Sequence, residues 1–247
     1  MIRLYHSHRL DARDKRFAEI LETLRTMKAD NALVQEISRN RAWGKGPPTV
    51  NHIKELLREV PHTTIVTYSR LGSQLINERS VEAKYGRKTP LVVLPGDIDC
   101  NPDNFENGQL RKNRLPKPSE VKIYKGMQLY LTQNLVKTND FVNGMLATVE
   151  NYRHYARVLF VRTRTNHRLA LGLWTDKEHG GVKYYPIRYG YSSTLHKIQG
   201  ATLKHMTLYP DVENMHAAGY TALSRVAKQD DYLIGGNVVP KHFVPAL

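Results

Sequence analysis

Cysteine is nearly absent from this 247-residue chain, where Cys100 stands alone. A single thiol excludes an internal disulfide and any zinc site built on several cysteines. Its acidic, loop-like surroundings (GDIDCNPDN) give it no catalytic setting. Long apolar runs are missing too. LVVLP and LALGLW, the longest, fall far short of a membrane span, and the opening MIRLYHSHRLDARDKR lacks the apolar core of a secretory leader. These absences lead to the expectation of a reducing, intracellular setting without a membrane partner. Acidic residues are the third shortage: 23 Asp and Glu face 37 Lys and Arg, a formal net charge of +14. Such a balance favours polyanionic partners, although a basic protein that is merely soluble has the same composition. A phosphate cradle is missing as well. No G-x-x-x-x-G-K-[ST] occurs, GKGPP (44–48) is too short and lacks the Lys-Ser/Thr ending, and no Asp-Glu pair follows a strand to hold magnesium. His6 and His8 have no further ligands at metal-binding spacing, so no metal site is expected.

What is present alternates between apolar and charged. From Asp14 to Lys28, Phe17, Ile20, Leu21, Leu24 and Met27 recur at helical spacing. A second helix is expected over Asn31–Arg39, and a third from the N-cap Thr49, burying Ile53, Leu56 and Leu57. TTIVT (63–67) reads as a buried strand, followed by a helix through Leu71, Leu75 and Ile76, and LVVL (91–94) as another strand. Residues 96–120 are loop-like, rich in Asn, Asp and Pro. QLYLT (128–132), MLATVENY (145–152), ARVLFVRT (156–163) and HRLALGLW (167–174) read as strands between turn signals such as Asn143-Gly144 and Gly180-Gly181. A strand at 205–210, a helix around 214–225 and a strand at 231–236 close the chain. Helix and strand alternate at both ends around an all-β middle. The expected fold is therefore an α/β domain with a parallel sheet, interrupted by a small β module.

The basic charge is clustered. Arg111, Lys112, Arg114, Lys117, Lys122 and Lys125 face one acid, Glu120. Arg153, Arg157, Arg162, Arg164 and Arg168 share a window without any acid, interleaved with Tyr152 and Tyr155. Cations tracking phosphates and rings stacking on bases suit a single strand. Either cluster alone reads better as a solvated strand face; two of them flanking one β module move the reading modestly towards nucleic acid.

Residues 191–203, YSSTLHKIQGATL, are polar where other segments are amphipathic. Ser192, Ser193 and Thr194 can cap a short helix whose free N–H groups attract phosphate. Gly200 can end it in a left-handed turn, and His196 and Lys197 add donors. A capped surface helix explains the stretch equally well. Downstream, GYTALSR (219–225) ends on Arg225.

Together the two stretches resemble motifs V and VI of superfamily 1B DNA helicases of the Pif/RecD type, roughly Y-A-x-T-I-H-K-S-Q-G-x-T-L and Y-V-A-L-S-R. Tyr191, Thr194, His196, Lys197, Gln199, Gly200, Thr202 and Leu203 match the first. Tyr220, Ala222, Leu223, Ser224 and Arg225 match the second. Ser192, Leu195, Ile198 and Thr221 depart from it. VTYSRLGSQLIN (66–77) resembles the family's L-T-x-T-N-x-x-V-x-x-I-N, with Arg70 in place of Asn. KGMQLYLTQN…FVNGMLATV (125–149) resembles G-x-x-V-x-L-x-x-N…V-N-G-x-x-G-x-V. SHRLDARDKRFAEILETLR (7–25) is similar to the start of the second RecA-like domain, with Arg9 at a conspicuous family position.

The resemblance implies a RecA-like domain (1–120 and 190–247) interrupted by a small β-barrel (121–189). It implies the C-terminal motor half of an ATP-dependent 5′–3′ DNA helicase, with ATP and magnesium gripped by an N-terminal RecA-like domain in cis or in trans. Arg225, and second to it Arg9, would reach the γ-phosphate. The plainer alternatives are a helix-end cation for Arg225 and a surface arginine for Arg9. Gln199 and Gly200 would couple strand contact to the nucleotide cleft. Thr67, Ser69, Thr194, His196 and Lys197 would hold phosphates of single-stranded DNA, with RNA as the other candidate strand. Arg157, Arg162 and Arg164 would assist from the β module. Without the partner domain this half is expected to be inactive. A nucleus or another DNA-containing compartment, with roles in repair and recombination, would follow for a eukaryotic member. A non-catalytic single-strand-binding remnant and a decayed reading frame are the competing expectations.

Overall fold

The computed structural model describes residues 14–42, 46–106, 109–111, 114–135, 138 and 141–246. The chain divides into two units, one of Met1–Lys84 with Ser192–Leu247, the other of Tyr85–Tyr191.

The first unit is α/β. Helix α1 (Lys15–Thr26) starts where the Asp14 carboxylate accepts from the Phe17 N–H at 3.1 Å. It buries Phe17, Ile20, Leu21 and Leu24, each worth ~1.5–3 kcal/mol when fully removed from water. Met27, read onto the same stripe, is exposed because the helix has ended. Helix α2 (Asn31–Ser38) repeats the device with Asp30 as cap and Val34 and Ile37 buried. Helix α3 (Val50–Glu59) is capped by Thr49 and His52 reciprocally, and buries Ile53 and Leu56. Strand β1 (Thr64–Thr67) leads into α4 (Arg70–Tyr85). The chain then returns through β2 (Ser192–Thr194), β3 (Met206–Tyr209), α5 (Ala218–Leu223) and β4 (Tyr232–Ile234). These strands form one sheet in the order β2-β1-β3-β4, every pair parallel.

Alternation along β1 sorts the two faces. Val66 joins α1, α2 and α5 in one buried cluster. Ile65 packs with Ile53, Leu56 and Ile76 from α3 and α4 in another. Two further sequence expectations fail in this unit. Ser192–Thr194 forms a buried edge strand, because parallel pairing with β1 satisfies its backbone; Thr194 stands at the N-cap position of the 3-10 turn that follows, but its side chain makes no capping bond. Leu71 is 68% exposed. Ile76 is buried as expected, with Val81 and Tyr85, but the rest of the face that α4 buries is Gly72, Ser73, Asn77 and Ser80, small or polar residues that an apolar stripe does not reveal. Asn77 turns its amide to β2, accepting from the Ser192 N–H at 2.9 Å and donating to its carbonyl at 3.4 Å.

The second unit is all β apart from short 3-10 turns. Its main sheet is antiparallel, in the order 187–189, 128–131, 146–153, 158–163, 168–171. Leu129, Leu131, Ala147, Val149, Leu159, Val161, Leu169 and Leu171 point inward. Tyr130, Thr148, Phe160, Arg162, Arg168 and Ala170 take the opposite face, the period-two pattern of a half-buried sheet. HRLALGLW does not run as one strand. It breaks after Leu171 at Gly172, and Trp174–Asp176 pairs instead with Val182–Tyr184. Residues 85–120 fall in this unit, since Val92–Gly96 pairs antiparallel with Ser119–Ile123. The loop-like stretch between them is organised by buried Asn104, which donates to the carbonyls of Ile98 and Lys117 and accepts from the Lys117 N–H. The first and last residues of the unit meet, Tyr85 and Tyr191 sharing a hydroxyl–hydroxyl hydrogen bond of 3.3 Å.

Buried Asp176 staples the 174–184 ribbon. It accepts from the Tyr184 hydroxyl and the His179 ring at 2.9 Å each, and from the N–H groups of Glu178 and His179. Burial pushes its carboxyl up, but the His179 and Tyr184 hydrogen bonds outweigh this and hold it below the ordinary carboxylate range. A depressed folded pKa contributes stability above the unfolded value and loses it as pH falls through the folded one. The ribbon is therefore expected to stay ordered at neutral and mildly acidic pH. Its amide protection in residues 176–184 should drop below about pH 4. Protection lost already near pH 6 would refute this role for Asp176.

Candidate nucleic-acid interface

The ends of β1 and β2 bring the two polar stretches together. The parallel register sets Thr67 beside Thr194, and Tyr209 of β3 on its other side. The chain leaves β1 as Tyr68-Ser69-Arg70 into α4, and leaves β2 as Leu195–Ile198, a single 3-10 turn. Residues separated by about 125 positions thus emerge side by side at the C-terminal edge of one sheet.

Their side chains are not equally available. His196, Lys197, Gln199 and Gly200 are exposed, with Gly200 at φ 83° as the turn signal requires. Thr194 is buried at 7% exposure, and Thr67 wholly so, its hydroxyl donating to the Ser69 carbonyl at 2.9 Å. Thr67 shapes the β1–α4 bend rather than presenting itself outward. Ser69 is half-buried and caps α4 by accepting from the Gly72 N–H at 2.9 Å.

Sequence reasoning missed the residue that completes this corner. Asp211, two residues beyond β3, accepts from the Tyr68 N–H at 2.8 Å and the Ser69 N–H at 3.1 Å, and the Ser69 hydroxyl donates to its other oxygen. The donors at the start of α4 therefore already serve a carboxylate, which the dipole favours. The outward donors of this edge are on the β2 side, at His196 and Lys197. Only the fold could show this, because Asp211 lies about 140 residues from its partners. Gly72 is fitted to it as well: a Cβ there would collide with the Asp211 carboxylate.

Arg225 lies at the end of α5. Its Nε donates to the Thr221 carbonyl at 2.9 Å and its terminal nitrogen to the Ser224 hydroxyl at 2.8 Å, so the guanidinium folds back on its own helix. The two motif stretches are joined directly. The Leu203 N–H donates to the Arg225 carbonyl at 2.8 Å. Leu195 and Ile198 share a buried cluster with Ala222 and Leu223. Arg9 lies outside the described residues.

In the second unit Arg157, Arg162 and Arg164 are all exposed. Arg157 takes a left-handed backbone (φ 50°), and its carbonyl accepts from the Tyr185 hydroxyl at 2.6 Å. The window around them is free of acid in sequence but not in space. Ladder register skips Glu150 between Val149 and Asn151, and this bulge residue pairs with Arg162 at 2.6 Å and Arg168 at 2.8 Å. The Arg162 hydrogen bond, with Arg168 adding to it against some burial, holds Glu150 below the ordinary carboxylate range. In the other cluster, Arg111 and Arg114 donate to the backbone carbonyls of Phe105 and Asp103. Lys112 lies outside the described residues. Among the described residues no helix is long and apolar enough to cross a membrane.

No protein-family model matches the chain, and no curated protein does. Solved structures do. A Bacteroides Pif1 bound to ssDNA superposes with a TM-score of 0.65 at 15% identity, over 94% of this chain and 51% of that one. The same helicase with ADP-AlF3 and ssDNA gives 0.62 at 15% identity, over 93% and 51%. A Pif1 helicase from Candida albicans gives 0.62 at 18% identity, over 94% and 56%. The chain thus spans about half the length of these helicases. At such identities the likeness, which runs over more than nine-tenths of the chain, establishes the fold: α/β, with a RecA-like parallel sheet.

Proposed function

We propose that a chain with this fold works as the C-terminal motor half of an ATP-dependent 5′–3′ DNA helicase. It grips the backbone of single-stranded DNA and supplies arginine to ATP held by an N-terminal RecA-like domain, in cis or in trans. One observation carries the reading. The strand-end residues Ser69, His196 and Lys197 stand at one edge of a parallel sheet, and the turn bearing two of them is bonded through Leu203 to the helix that ends in Arg225. Movement at the nucleotide end would be felt at the DNA end through packed, hydrogen-bonded structure. The solved likenesses carrying ssDNA and ADP-AlF3 support the choice of ligands.

His196 and Lys197 would hold phosphates by charge and hydrogen bonding, Ser69 and Thr67 would fix the loop that faces them, and Gln199 and Gly200 would form the flexible link to the cleft. Arg157, Arg162 and Arg164 would add phosphate contacts from the β unit, with Arg162 shared with Glu150. Among the described residues no group of three or more His, Cys, Asp or Glu could hold a metal ion. In this reading the chain's contribution to the nucleotide chemistry would be its arginines.

Reconstitution tests the reading. Adding an N-terminal RecA-like domain of matching type is expected to give ATP hydrolysis stimulated by single-stranded DNA. The chain alone should bind oligonucleotides, with affinity falling steeply as salt rises. Binding without hydrolysis in the reconstituted pair would favour the non-catalytic remnant instead. No binding even at low salt would remove both.

A further inference from the structure

The outer face of the five-stranded sheet carries aromatic rings each covered by a guanidinium. Phe160 sits mid-sheet with Asn151 and Ala170 beside it in register, so no bulky neighbour walls off its ring. The guanidinium carbons of Arg153 and Arg168 lie 5.1 Å and 4.7 Å from its centroid. Tyr130, one intervening strand away, carries Arg188 at 5.0 Å. Both rings are half-buried, flush with the sheet rather than projecting from it. Strand spacings put them roughly 15 Å apart, within the footprint of a few nucleotides. Arg188 Nε is buried with no hydrogen-bond partner among the described residues. Burial raises the Tyr130 hydroxyl pKa, while the positive charges of Arg188 and Arg164 pull it down. Against these cations the face has, among the described residues, one acid, Glu150, shared by Arg162 and Arg168.

We infer that this face is a stacking platform for unpaired bases of single-stranded nucleic acid, with Phe160 and Tyr130 under the bases and Arg153, Arg168 and Arg188 on the phosphates. Cations held over these ring faces by cation–π attraction gather positive charge where flat apolar rings reach the surface. Flush rings cannot reach bases held inside a duplex, whereas an unstacked strand lays its bases on such a surface. The excess of arginine over acid selects a polyanion. The inference rests on the nucleic-acid reading of the chain and extends it to residues outside the sheet-edge grip.

The test uses the full chain, fluorescence anisotropy, and two labelled probes of equal length: oligo-dT and the same backbone with abasic sites. Wild type is expected to prefer oligo-dT. Phe160→Leu, which keeps apolar volume but removes the π face, is expected to weaken oligo-dT binding about tenfold. It should leave abasic binding and the salt slope unchanged. Arg153→Gln should instead flatten the salt slope by about one for both probes. Tyr130→Leu, reading the second ring, guards against a folding defect peculiar to position 160. If wild type binds oligo-dT while both leucine variants bind it equally well, the platform is overturned and the sheet-edge grip stands. Duplex DNA or polyglutamate competing as well as oligo-dT marks a general polyanion surface and likewise overturns it. Wild type binding neither probe at low salt removes the nucleic-acid reading along with it.

Discussion

Arg225→Ala is expected to cut single-strand-stimulated ATP hydrolysis by about 10³-fold or more in the chain assembled with an N-terminal RecA-like domain. Oligonucleotide affinity should stay within about twofold of wild type. The magnitude is that of an arginine supplied to a transferring phosphoryl group. The structure adds why the change should be specific. The guanidinium now caps the Thr221 carbonyl and the Ser224 hydroxyl at the end of α5. Losing that cap costs about 1 kcal/mol, too little to unfold the unit. The backbone bond from Leu203 to the Arg225 carbonyl survives any side-chain substitution. Arg225→Lys keeps the positive charge but not the planar fork, and should recover only a small part of the rate. Hydrolysis that returns on assembly yet ignores both changes would remove Arg225 from the mechanism.

The second large effect is on stability. Asp211→Ala should destabilise the first unit by about 2–4 kcal/mol, because the Tyr68 N–H, Ser69 N–H and Ser69 hydroxyl lose a charged acceptor at once. Asp211→Asn keeps one oxygen and should lose roughly half as much. Gly72→Ala probes the same corner from the other side. It would normally gain up to ~1 kcal/mol of helix propensity, but its Cβ meets the Asp211 carboxylate, so a net loss is expected. Chemical denaturation monitored by circular dichroism measures all three. A stabilised Gly72→Ala would show that the carboxylate can move aside without cost.

The parts of the fold that could be read from sequence were those where local chemistry and tertiary need coincide. The cap Thr49 lies where α3 begins, and the periodic segments expected from Asp14 and Asn31 become α1 and α2, because a capping side chain and a helical stripe act within one turn. The strands of the second unit were legible where residues alternate, from Gln128 to Leu171. What could not be read depends on distant partners. Ser192–Thr194 has the composition of a cap and becomes a strand because β1 offers it a ladder. α4 buries small polar residues because Asn77 has an edge strand to pin. The site shows the same division. His196, Lys197 and Gly200 occupy the exposed turn their sequence suggests. Asp211 and Glu150 are near their partners only after folding. A window without acid in one dimension is not a surface without acid in three.

The hydroxyl–hydroxyl contact between Tyr85 and Tyr191 also bears on how such a chain can change over time. A segment of over a hundred residues whose two ends touch is, to its host, little more than a tight turn. Closing it costs chain entropy that grows only with the logarithm of its length, and the host's own register does not depend on what lies between. The β unit can therefore be enlarged, exchanged or pared back without re-threading the parallel sheet, much as a cartridge is changed in a fixed holder.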